Sequence, residues 1–102
     1  MPSYIPGPGG SRVSFNITTP TVVKTGPGIV FRIFVINDPT ADGSVNDVAT
    51  TGGAAVSNQI CAIPINNMGG ATSPYVIDVI APFYTGLVIN PGTGGVVSVS
   101  YE

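Results

Sequence analysis

The chain has no histidine, no tryptophan and a single cysteine, and its 102 residues carry only three basic and five acidic side chains. Each shortage excludes something. Without histidine there is no imidazole to serve as general base, so Ser-His-Asp and Cys-His arrangements cannot be assembled. One thiol and no imidazole leave no ligand set for zinc. Cys61 has no second cysteine in the chain to pair with, so there is no disulfide framework and no compositional argument for secretion. It sits in the apolar stretch Gln59–Ile63, where a buried, inert thiol is expected. The basic residues Arg12, Lys24 and Arg32 are scattered, whereas binding a nucleic-acid backbone needs several on one face. The apolar run Ile29–Ile36, interrupted by Arg32, is far too short to cross a bilayer as a helix. The first residues carry neither a basic nor an apolar stretch of the signal-peptide kind, so synthesis and folding in a cytoplasm is the expectation.

What is abundant is glycine, proline and β-branched residues, with 14 Gly and 10 Pro. A length of 102 fits one domain with a modest core. A net charge of −2 on so few charged groups is unusual for a free monomer, which carries about a quarter charged residues. Much of the surface is therefore expected to be covered by other chains.

Residues 1–11 hold three prolines and three glycines, which suit neither a helix nor a central strand. They are expected to form an extended arm, separate from a single domain over residues 12–102. Tyr4 and Ile5 are costly to leave in water, so Tyr4, Ile5, Pro6 and Pro8 become candidate docking residues on a neighbour. From Val13 the pattern alternates with period two, which predicts a strand over 13–18 with Val13, Phe15 and Ile17 facing the core. Thr21–Lys24 resumes it, and Thr25-Gly26-Pro27-Gly28 marks a turn. Ile29–Ile36 reads as a central strand covered on both faces. Arg32 is anomalous there. It shares a face with Val30, Phe34 and Ile36, so it must find a partner, reach a strand end or lie in a subunit interface.

Further strands are predicted over 45–50, 59–65, 75–80, 86–90 and 96–101. The last two flank Pro91–Gly95 and read as a hairpin. Short strands at this spacing, with no amphipathic helix, imply an antiparallel β-sandwich, jelly-roll-like, of seven to eight strands. Phe15, Phe31, Phe34 and Phe83 are assigned to the core; Tyr4, Tyr75, Tyr84 and Tyr101 are assigned to interfaces or strand edges.

Candidate chemistry is sparse. Asp38 and Asp42 lie in a turn-rich loop that favours Asp for its local hydrogen bonds. The stretch Asp38–Gly43 echoes a calcium loop, but Ala49 stands where the bidentate Glu belongs and Pro39 is foreign to the pattern. A looser calcium site would draw on Asp38, Asp42 and Asp47. The Gly-Pro-Gly and Gly-Gly segments match no phosphate-loop motif and read as turns. No catalytic residue, cofactor or metal is assigned.

The stretches Val23–Ile33, Ala81–Ile89 and Gly95–Tyr101, with Asp47 between them, resemble small all-β virion proteins of tailed bacteriophages, specifically capsid decoration, or cement, proteins. The resemblance spans about residues 20–102 and implies a β-sandwich or jelly roll, often trimeric, seated on the capsid where subunits of the major capsid protein meet. It implies no catalytic residue; from the charge pattern and the short apolar runs, nucleic acid and membrane are not expected as partners. The expected location is the virion surface. The alternative is a fibre or adhesin module that recognises a host glycan or receptor through Tyr75 or Tyr84.

Overall fold

The computed structural model describes residues 12–37, 39–64 and 75–102. The predicted arm, with Tyr4, Ile5, Pro6 and Pro8, lies outside the described residues. Eight strands form: β1 (Arg12–Ile17), β2 (Thr21–Thr25), β3 (Gly28–Asn37), β4 (Gly43–Asn46), β5 (Gln59–Ile63), β6 (Tyr75–Phe83), β7 (Gly86–Asn90) and β8 (Val96–Tyr101). All pair antiparallel in two four-stranded sheets, a first with order β1-β8-β3-β6 and a second with order β2-β7-β4-β5. That wiring is the eight-stranded jelly roll, in which the chain passes back and forth between two facing sheets. Only β4 and β5 are both consecutive in the chain and adjacent in a sheet.

The core lies between the sheets. Val30, Ile33, Val35, Val97 and Val99 from the first sheet meet Val45, Ile63, Leu87 and Ile89 from the second, with Phe83 and Ile17 completing the layer. Fully burying a side chain of this size is worth about 1.5–3 kcal/mol. The valine-rich inner face is what a sandwich about 10 Å thick can hold.

The predicted hairpin does not form. β7 sits between β2 and β4 in the second sheet, and β8 sits between β1 and β3 in the first. Both runs are buried enough to be central strands, and pairing them with each other would leave one sheet without its middle. Pro91–Gly95 therefore arches across the gap. Gly92 and Gly94 take positive φ of 83° and 73°, and the Asn90 side-chain oxygen accepts from the Gly92 amide at 3.0 Å. Glycine-rich punctuation marks a reversal, but it does not say whether the reversal stays within one sheet. Thr25–Gly28 and Phe83–Gly86 are also crossings, joined where the Gly26 amide donates to the Thr85 carbonyl at 2.9 Å.

The strand predicted over 45–50 is instead Gly43–Asn46. Beyond it the chain leaves the ladder, because the Asp47 carboxylate is taken by amides of the β6–β7 turn. Two single 3₁₀ turns, Thr51–Gly53 and Val56–Asn58, come next. Asn46, almost fully buried, organises this excursion. Its amide nitrogen donates to the Ala55 carbonyl at 2.9 Å and to Asn58 Oδ1 at 2.7 Å, while its oxygen accepts from the Ser44 hydroxyl at 2.7 Å. β6 runs past Ile80 to Phe83 through Pro82, which an edge strand tolerates because its missing N–H faces away from the ladder.

Candidate functional site

Irregularities in β1, β3 and β6 shape what the first sheet shows to the outside, and β3 carries a further register shift against β8 between Val35 and Asn37. In β1, Ser14 pairs with Val99 and Ile17 with Val97, so one extra residue is inserted, and Asn16 takes the left-handed conformation at φ 52°. Asn tolerates that region better than most side chains. The bulge reverses the side-chain alternation. Ile17 points into the core as predicted, but Val13 and Phe15 face outward, and Phe15 is exposed rather than buried. In β3 the register shifts between Val30 and Arg32 against both neighbours. Val30 therefore belongs to the core, and Arg32 shares the outer face with Phe34 and Ile36 but not with Val30. In β6, Ile80 takes a φ of 47°, where a β-branched residue is a genuine outlier.

β3 is thus central in its sheet, but its outer face is not covered by any described residue. Across that face, Val13 and Arg32 both lie opposite Ser100, and Arg32 lies opposite Asp78; one row on, Phe34 lies opposite Ser98 and Val76. The two serines are small and buried, so they form the floor between taller walls. Their hydroxyls accept the Asn16 and Arg32 amides at 3.2 and 3.1 Å. Val13, Phe15, Phe34, Ile36 and Ser98 enclose an open groove of about 350 Å³ with an almost wholly apolar lining. At and beside it Val13, Phe15, Ile36 and Val76 are between 46% and 73% exposed, and Ile29 and Ile80 are exposed beyond the Arg32–Asp78 row. Monomeric proteins seldom leave contiguous apolar surface beyond a few hundred Å² bare. Val13, Phe15, Phe34, Ile36 and Val76 adjoin on this face and belong to such a surface.

Arg32, the anomaly of the central strand, has its partner within the chain. Its Nε donates to Asp78 Oδ1 at 2.9 Å, an exposed pair worth at most about 1 kcal/mol. The pair neutralises the charge in the middle of the face. Among the described residues the second oxygen of Asp78 accepts no hydrogen bond.

The other singled-out residues fall elsewhere. Tyr84 is exposed at the β6–β7 turn, and Tyr101 packs partly against the core at the end of β8. Tyr75 opens β6, and Asp38 lies outside the described residues. Asp47 commits its carboxylate to the backbone: Oδ1 accepts from the Tyr84, Thr85 and Gly86 amides at 3.0, 2.8 and 3.2 Å, and Oδ2 from Tyr84 at 3.0 Å. Desolvation pushes its pKa up, but the three amides outweigh that and hold it below the ordinary value of 3.8. Cys61 is half-buried in β5, and desolvation raises its thiol pKa, so it stays protonated and weakly nucleophilic at neutral pH.

Sequence reasoning missed the groove. The available signal was that Phe34 and Ile36 keep the parity of Arg32, so an apolar outer face on β3 was legible. Phe15 was not, because its direction depends on the Asn16 bulge. No family model, curated protein or solved structure matches the chain.

Proposed function

We propose that this chain is a non-enzymatic structural protein of a phage particle. In this reading it binds the outside of the capsid as a symmetric oligomer, a trimer in the favoured version, and stabilises the shell by bridging neighbouring subunits of the major capsid protein. The observation that carries it is the apolar outer face of the first sheet, covered by no described residue, on a chain with eight charged side chains. Fold alone would not suffice, since jelly rolls serve capsid proteins, lectins and cupins alike. An apolar face with a neutralised centre suits permanent burial against protein. Copies linked by symmetry would engage several capsomers at once, so effective concentration turns modest contacts into a clamp.

Quantitative mass spectrometry of density-purified particles tests this reading. A copy number comparable to that of the major shell protein, within a small integer ratio, is expected; absence from the particles overturns it. A second reading, a fibre module for a host glycan, draws on Tyr84, which is exposed on a turn held by Asp47. It predicts a handful of copies per particle and glycan binding that is lost in Tyr84→Ala.

A further inference from the structure

The groove lies beside the point where the chain enters the first sheet. β1 starts at Arg12 opposite Tyr101 and runs toward Ile17 opposite Val97. Val13 and Phe15, just inside that entry, form one wall; Phe34 and Ile36 of β3 form the other. The volume of about 350 Å³ is in the range of sites that take up several side chains of a ligand or peptide.

Residues 1–11 carry no charged side chain and gather Tyr4, Ile5, Pro6 and Pro8. Such a segment has the right chemistry for these walls. Its prolines have no N–H, so laying it on an apolar surface strands fewer backbone donors. Pro6 and Pro8 fix their own φ and bias Ile5 and Gly7 away from the helical region, so the segment has less entropy to lose on docking. A buried Tyr4 hydroxyl needs a partner, and the second oxygen of Asp78, to which no described residue donates, lies one row from Phe34.

We propose that the groove of one copy receives Tyr4 to Pro8 of a second copy. Chain direction favours a neighbour's segment over the chain's own, and the reach permits it. Travelling back from Ile17, the chain leaves β1 at the Arg12 end, heading away from Phe15 and Ile36. To reach its own groove the chain before Arg12 has to turn back on the direction of β1, a reversal that passing to a second copy does not impose. Ile5 precedes Arg12 by seven residues, a span of about 23 Å when extended. The width of the groove from β1 to β3 is only about 10 Å. The contact is heterologous, since each copy gives one segment and receives another, and it closes into a ring when the rotation permits. The proposal rests on the assembly reading above and names the partner of its apolar face.

The test uses the full chain. A nitroxide on Ser3→Cys, in a Cys61→Ala background, is mixed with nitrogen-15-labelled chain that carries no nitroxide. Amide signals of Val13, Phe15, Phe34 and Ile36 in the nitroxide-free copies are expected to lose most of their intensity. Phe15→Ser or Ile36→Ser in the labelled copies should restore the remaining signals; both side chains are exposed, so neither change threatens the fold. Loss seen only when both labels share one chain overturns the exchange. So does an oligomer by sedimentation with no loss at the groove, which leaves the assembly reading standing. A monomer at every concentration overturns both.

Discussion

The carboxylate of Asp47 holds three consecutive amides of the β6–β7 turn from the end of β4, tying a sheet-crossing arch to the excursion beside it. Asp47→Asn keeps an acceptor but loses the charge, and a loss of about 1–2 kcal/mol is expected at neutral pH, discounted for the partial exposure of the site. The sign of the pH dependence comes from the lowered pKa. A carboxylate held below its unfolded value stabilises the fold above that value, and the contribution disappears as pH falls through the folded one. Denaturant midpoints of wild type and Asp47→Asn should therefore differ most at neutral pH, start to approach each other as pH falls past the unfolded carboxylate value of about 3.9, and meet only below the lower folded one. A gap that persists in acid would assign the effect to something other than the charge. Arg32 works differently. Its exposed pair with Asp78 adds little stability, so Arg32→Met should leave the melting temperature within a few degrees of wild type. The same change leaves Asp78 unneutralised in the face and should weaken self-association. Unchanged oligomer mass would remove Arg32 from the interface.

At the scale of elements, the strands were readable and their facing was not. β-branched runs and Gly-Pro punctuation located β2, β3, β7 and β8 closely, because those signals are local. Which sheet a strand joins is a non-local choice, made when β7 and β8 each take the centre of a different sheet. The bulges at Asn16, near Phe31 and at Ile80 each shift the parity of the residues beyond them, so a strict period of two misassigned Val13, Phe15 and Val30. Ile80 offers a direct check. A β-branched residue at a φ of 47° is strained by about 1–3 kcal/mol, while its side chain is mostly exposed. Ile80→Gly relieves the strain, gives back part of the gain as unfolded-chain entropy, and should raise the melting temperature of the chain by a few degrees, or about 0.5–1 kcal/mol. A lowered melting temperature would mean that Ile80 contributes packing that outweighs its backbone strain.

For the whole molecule, the two outer faces are unlike. On the second sheet the 47–58 excursion folds back onto Asn46, and Val88 beside it is buried. On the first sheet no described residue covers Phe15, Phe34, Ile36 or Val76. The scarcity of charge in the sequence pointed to a covered surface. Only the fold shows which surface remains to be covered, since that depends on sheet order and bulges together. If the outer face of the first sheet is built to be buried against protein, sedimentation velocity on the full chain, beside the double variant Phe15→Ser/Ile36→Ser, tests it most directly. The wild type should sediment as a discrete oligomer and the variant as a monomer with the same circular dichroism and a cooperative thermal transition, lowered only by the stability that assembly adds. A wild type that stays monomeric at all concentrations, or a variant that keeps the wild-type mass, would contradict it.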